Sequence, residues 1–191
     1  MAGLKIVQTG IPDLLIFEPA VFGDARGYFV ETYNNKELES LGFAKTFVQD
    51  NESMSGRGVL RGLHYQTRHT QGKLVRVISG EVYDVAVDLR RGSPTFGKYE
   101  GILLTGDNKK QFYVPEGFAH GFVVLSEKAV FAYKCTDEYD PKSEAGIIWN
   151  DPDIGIRWPE MDVEPLLSAK DKQLKPFGQA DIPFVYKESE H

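Results

Sequence analysis

The sequence holds one cysteine, Cys135, among 191 residues, so no internal disulfide can form and a reducing compartment is expected. No apolar run approaches the roughly 18 residues of a membrane-spanning helix. The opening residues, MAGLKIVQTGIPD, lack the basic region and apolar stretch of a signal peptide, and with the lone cysteine they point to the cytoplasm. Basic residues are in deficit. With 22 Lys and Arg against 28 Asp and Glu the net charge is −6, which argues against a nucleic-acid partner. A small phosphorylated ligand stays open, because it needs only about two or three well-placed cations. Helical signal is also scarce.

What fills the chain is a series of short β-like runs, punctuated by Gly, Pro, Asn and Asp. Segment 73–89 is the clearest. Leu74, Val75, Val77 and Ile78 form an apolar run, Ser79-Gly80 makes a turn, and residues 82–89 return. In that return Tyr83, Val85, Val87 and Leu89 alternate with Asp84, Ala86 and Asp88, the period of a half-buried strand. Segments 102–104, 112–114, 122–125 and 130–135 predict further strands, with a turn at Gly106-Asp107-Asn108. Upstream, 14–17, 28–33, 47–49 and 59–64 predict more. One short helix is expected over 36–41 behind Asn34-Asn35. A turn at 168–173 has Ser168 as N-cap and Asp171 at the capping-box position. No repeat shows, and the polar end from 182 to 191 is expected to fray. The pattern predicts an all-β fold, a jelly-roll β-sandwich or barrel with a few short helices, and the length fits a single domain over 1–191.

Four histidines are present. His191 is terminal and is set aside, and His69 lies in the polar stretch Thr67-Arg68-His69-Thr70, where solvent is expected. His64 ends the run Val59-Leu60-Arg61-Gly62-Leu63-His64, and His120 sits within PEGFAHGF. That stretch resembles the second motif of the cupin superfamily. Metal-binding cupins pair two histidines one residue apart with a Glu and the histidine of this motif. Here Gln66 holds the second place of the pair. His64, His120 and one carboxylate would still make a facial triad, so a metal-dependent oxygenase remains a rival reading. The expectation is no metal.

The intervening residues carry a closer resemblance. Phe22-Gly23-Asp24-Ala25-Arg26-Gly27-Tyr28-Phe29-Val30-Glu31, Phe47-Val48-Gln49-Asp50-Asn51 and Gly58-Val59-Leu60-Arg61-Gly62-Leu63-His64 come first. Gln71-Gly72-Lys73, PEGFAHGF, Tyr133-Lys134-Cys135-Thr136 and Leu167-Ser168-Ala169-Lys170-Asp171 follow in order. Together they resemble the dTDP-4-dehydrorhamnose 3,5-epimerase family over about 10–183, which implies a cupin-type jelly roll. The family inverts C3 and C5 of dTDP-4-dehydro-6-deoxy-D-glucose to give dTDP-4-dehydro-L-rhamnose, in a pathway that feeds cell-wall polysaccharide or lipopolysaccharide. No cofactor is implied. Both carbons flank the C4 ketone, so loss of either proton leaves an enolate with its charge on O4. The protein must then supply a base, an acid on the other ring face and a positive group near O4.

The resemblance assigns His64 as the base, since an imidazole both accepts and returns a proton near neutral pH. Asp171 would orient it through Nδ1–H, although its capping position offers a purely structural role as well. Lys73 would face O4, and Tyr133 would be the acid across the ring. Alternation puts Phe131, Tyr133 and Cys135 on one face. His120 would bind the sugar or hold its loop, and Tyr139 would line the nucleotide site. Arg26, Gln49, Asn51 and Arg61 resemble the nucleotide and pyrophosphate contacts, with Glu144 and Lys170 as further contacts. Glu31 would take a base or ribose donor. The resemblance also implies a homodimer in which the first strand segment crosses to the partner, so that Arg26 and Glu31 serve the neighbouring site. In a regular strand His64 and Arg61 point to opposite faces. They serve one ligand only if Gly62 marks a bulge or Arg61 lies at the rim. Rivals are a mono-epimerase or ketoisomerase of a related dTDP-4-keto-6-deoxy sugar, and a non-catalytic binding module.

Overall fold

The computed structural model of the chain describes residues 3–187; the end of the polar tail, His191 included, lies outside the described residues. Six strands make one antiparallel sheet, in the order β1 (Leu4–Gln8), β2 (Leu15–Pro19), β10 (Gln111–Val114), β7 (Lys73–Ser79), β12 (Lys128–Cys135) and β5 (Gln49–Gly56). Five make the second: β13 (Glu144–Gly146), β6 (Leu60–Gln66), β11 (Phe118–Val124), β8 (Glu81–Asp88) and β9 (Tyr99–Thr105). A separate hairpin joins β3 (Val21–Asp24) to β4 (Gly27–Val30). The expected helix forms as α1 (Asn35–Ser40), with Asn34 Oδ1 accepting the Glu37 N–H at 3.2 Å.

From β5 to β8 each strand lies in the other sheet from the one before it, the crossing pattern of a jelly roll. Segment 73–89 is therefore not a hairpin. Its Ser79-Gly80 turn carries the chain from the first sheet to the second. Gly80 sits at φ +83°, and a Cβ there would stand 2.1 Å from the Lys128 carbonyl oxygen, so no larger residue can make the crossing.

Between the sheets Val75, Val77, Phe112 and Phe131 pack against Val82, Ala86, Leu104 and Phe122. The Phe122 and Phe131 rings stack at 4.2 Å and close off the apolar part of the interior. Burying each such side chain contributes about 1.5–3 kcal/mol. The half-buried reading of β8 does not hold, because both its faces are covered. Val85, Val87 and Leu89 turn outward under a layer built from residues 147–187, where Ile147, Ile154 and Ile182 meet them. Asp84 and Ala86 turn inward, and Asp84 is fully buried. The strand expected at 47–49 instead runs Gln49–Gly56. It escapes a hydrophobicity reading because it is an edge strand: Asp50, Glu52 and Met54 face solvent, while Gln49 and Asn51 face a polar cavity.

Candidate active site

The site begins with an irregularity in β6. Against β11, Arg61 pairs with Phe122 and His64 with His120, so β6 advances three residues while its partner advances two. The extra residue lies at Gly62–Leu63. Gly62 has φ +123°, and a Cβ on it would come within 2.6 Å of Gly121 Cα. This bulge turns His64 and Arg61 toward one space, and Arg61 also sits exposed at the rim. Its guanidinium donates to Ser55 Oγ at 3.1 and 3.3 Å.

Asp171 reaches His64 from the outer layer, 107 residues away in sequence, with 2.5 Å between Asp171 Oδ1 and His64 Nε2. The bonded nitrogen is Nε2, not the Nδ1 expected above. The carboxylate comes from the short 3₁₀ turn Asp171–Gln173, and an Nε2–H donated to it leaves the ring's lone pair on Nδ1. Ser168 is linked to Asp171 too: Asp171 N–H donates to Ser168 Oγ at 3.0 Å, and Ser168 Oγ donates to Asp171 Oδ2 at 2.8 Å. The 3₁₀ turn itself starts at Lys170 without a side-chain cap, so the second carboxylate oxygen braces the Asp171 side chain instead of closing a capping box. Burial pushes the Asp171 carboxyl up, but the bonds from His64 and Ser168 outweigh it and hold it below its ordinary range. It stays ionised to orient the ring.

His64 lines a cavity of about 260 Å³ together with Lys73, Tyr133, Gln49, Asn51 and Tyr139. Tyr133 lies on β12 next to Phe131 in the interior, as alternation predicts. Lys73 Nζ is 5.9 Å from the Tyr133 ring centroid. Burial pushes the Lys73 ammonium down from its ordinary value, and nearby Cys135, Asp84 and Glu144 partly restore it. Burial pushes the Tyr133 phenol up, which keeps its proton in place. The site therefore presents a free imidazole nitrogen, a protonated phenol and a desolvated cation around one space.

At the mouth, Tyr139 is half exposed and donates through its hydroxyl to Glu144 Oε2 at 2.9 Å, while its backbone N–H donates to Gln49 Oε1. Lys170 also donates to Glu144 Oε2. Burial raises the Glu144 carboxyl, but the bonds from Lys170 and Tyr139 hold it low. Gln49 donates to Asn51 Oδ1, and Asn51 donates to Cys135 Sγ at 3.6 Å. A neighbouring cavity of about 440 Å³ continues past His64, lined by Arg61, Glu144, Leu166 and Lys170.

A family model described as dTDP-4-dehydrorhamnose 3,5-epimerase matches residues 8–179. The chain belongs to the dTDP-4-dehydrorhamnose 3,5-epimerase family. The dTDP-4-dehydrorhamnose 3,5-epimerase of Pseudomonas aeruginosa is 59% identical over 179 residues, covering 93% of this chain and 98% of that one. The epimerase structure from Legionella pneumophila, in complex with dTDP-4-keto-L-rhamnose, superposes with TM-score 0.93 at 52% identity, over 97% of this chain and all of that one. A 3'-monoepimerase from Streptomyces bikiniensis, in complex with dTDP-quinovose, shares the fold at TM-score 0.83 and 33% identity, over 89% of this chain and 86% of that one.

Within this epimerase-family site, ten of the thirteen residues singled out from sequence line the two cavities. His120 lines neither, but lies in register with His64 and borders a third, small space with His64 and Lys73. Arg26 and Glu31 line none of the three. Arg26 is exposed on the β3–β4 hairpin and pairs with Asp24, two residues away, at 2.5 Å. Glu31 accepts from Asn34 Nδ2. Neither lines the cavities of its own chain, and the hairpin that carries Arg26 is exposed from Val21 to Phe29. Gln66 is spent on structure: it donates to the His69 and Glu138 carbonyls and accepts from Asp140 N–H. Among the described residues no three His, Cys, Asp or Glu side chains gather as a metal set. Sequence reasoning missed Asp84, which holds His120 Nε2 at 2.9 and 3.1 Å. Its only signal was a charge at a position whose alternation mates, Ala86 and Val82, face the core.

Proposed function

We propose that the chain inverts C3 and C5 of dTDP-4-dehydro-6-deoxy-D-glucose, and that its residues carry the reaction without a metal or cofactor. The observation that carries this reading is that His64, held by Asp171, lines the same cavity as Lys73 and Tyr133. His64 Nδ1 removes the proton from a carbon beside the ketone and becomes an imidazolium, stabilised through Nε2–H by Asp171. The electron pair moves onto O4 as an enolate, against the Lys73 ammonium. Tyr133 delivers its proton to the opposite face of the same carbon. Exchange with solvent then restores phenol and imidazole, and the cycle repeats at the second carbon. Arg61 and Lys170, on the neighbouring cavity, suit the pyrophosphate, and Tyr139 at the mouth suits the base. Cytoplasm fits the free, buried thiol of Cys135.

The test is incubation of the 4-keto substrate with chelator-treated protein in deuterium oxide. Deuterium at both C3 and C5 is expected. Label at one carbon defines a mono-epimerase, and no label sinks the epimerase reading. The higher identity to double epimerases than to the 3'-monoepimerase supports two positions.

The active form in this reading is a homodimer, with Arg26 and Glu31 completing the partner's site. Two features support it: both residues lie away from their own cavity, and the hairpin exposes Phe22, Tyr28 and Phe29 by 54%, 60% and 66%, apolar surface that a second copy would cover. Co-folding equal amounts of the Arg26→Ala and His64→Ala chains, each weak or inactive alone, should restore about one quarter of wild-type turnover. Half the dimers are then mixed, and each has one intact site. No recovery means that Arg26 acts within its own chain or not at all.

A further inference from the structure

The interior of the sandwich holds a second histidine–carboxylate pair that the mechanism above leaves unused. Asp84 on β8 lies opposite Phe122 on β11, and His120 is two residues from Phe122, the diagonal neighbour across the strand pair. His120 Nε2 sits 2.9 Å from one Asp84 oxygen and 3.1 Å from the other. Both residues are buried, Asp84 completely. His120, in turn, stands directly across from His64. The two imidazoles therefore flank one space, each held at Nε2 by its own carboxylate.

Asp84 also lies near Lys73: it bonds His120, which borders one small space with Lys73. Its charge and that of Glu144 oppose the ammonium's desolvation through space, without a hydrogen bond to it. A carboxylate in direct contact would capture the lysine. One at a distance offsets its desolvation and leaves its donors aimed at the cavity.

We propose that Asp84 is a positioning residue for the epimerisation: it fixes His120 beside the substrate and keeps the Lys73 ammonium charged yet free to meet the enolate oxygen. The proposal rests on the assignment of Lys73 to O4 made above. A buried carboxylate without such a role is costly to keep in an interior otherwise filled by Val75, Val77, Ala86 and Phe122. The groups that face Lys73 are His64 on β6, Asp84 on β8, His120 on β11, Tyr133 and Cys135 on β12, and Glu144 on β13. Burial drives the lysine down and the tyrosine up, so in this proposal the lysine is the group expected to set the alkaline limit of turnover.

The experiment compares pH profiles of kcat and KM for wild type and Asp84→Asn, which keeps an acceptor for His120 but removes the charge. Expected are a kcat lower by about tenfold to hundredfold, a KM within about threefold of wild type, and an alkaline limb moved to lower pH by about half a unit or more. A merely structural carboxylate would not move that limb. Reduced kcat with the limb in place, or unchanged kcat, overturns the proposal. If Asp84→Asn does not fold, Asp84→Glu retains the charge and shifts it by one methylene. It should lower kcat about tenfold with the limb at its wild-type position, and full activity there overturns the proposal equally. Wild type without deuterium exchange has a different signature: it defeats the epimerase reading itself, and this proposal with it.

Discussion

His64→Ala abolishes deuterium incorporation at C3 and at C5 alike, with turnover falling by about a thousandfold or more. One imidazole serves both carbons in this reading, because Asp171 holds Nε2 and leaves the ring's one lone pair on Nδ1 of a side chain that lines the cavity. The variant leaves the cavity enlarged but the fold intact, since His64 is partly exposed and packs in neither apolar core. Substrate binding should change little, because the residues proposed to contact the nucleotide lie at the mouth and in the neighbouring cavity. Exchange that survives at one carbon would assign that carbon to another base. His120 is the first suspect, being the other histidine that borders the same interior space. The measurement is the label at each carbon by NMR after long incubation, beside the melting temperature of the variant.

Tyr133→Phe should separate the two halves of the reaction. Product formation slows by about a hundredfold or more, while the first deprotonation, followed as loss of substrate C–H signal, slows far less. The phenol lies across the cavity from His64 on the other sheet, so it addresses the opposite ring face. Burial holds its proton on at neutral pH, as an acid requires. Phenylalanine keeps the ring against Phe131 and removes only the hydroxyl, so packing is preserved. An intermediate trapped as enolate then returns its proton from His64 to the original face. The variant exchanges label without inverting configuration. Equal loss in both assays would take Tyr133 out of the acid role.

Both predictions use residues visible in the linear sequence, and the reasons differ from residue to residue. His64, Lys73 and Tyr133 stand in motifs whose order alone carries the family resemblance. Gly62 was legible as a bulge by contradiction, since a regular strand would aim Arg61 and His64 apart. Alternation placed Tyr133 beside Phe131 on the buried face. Asp84 escaped notice for the opposite reason. Its strand alternates as cleanly as an exposed one, and only a third layer from residues 147–187 covers the face that then reads as the core. The edge strand Gln49–Gly56 was hidden because neither face is apolar.

From the sequence alone follow the all-β class, the turn and bulge glycines and the absence of an internal disulfide. These depend on local periodicity, on residue type and on backbone freedom, which neighbours along the chain define. Tertiary structure decided that Asp171 meets Nε2 rather than Nδ1, that Asp84 anchors His120, and that Arg26 and Glu31 stand outside their own cavity. Each of these is a contact, or a missing contact, between segments tens of residues apart. Its geometry is set by how the sheets, the hairpin and the outer layer pack, and no local pattern encodes that.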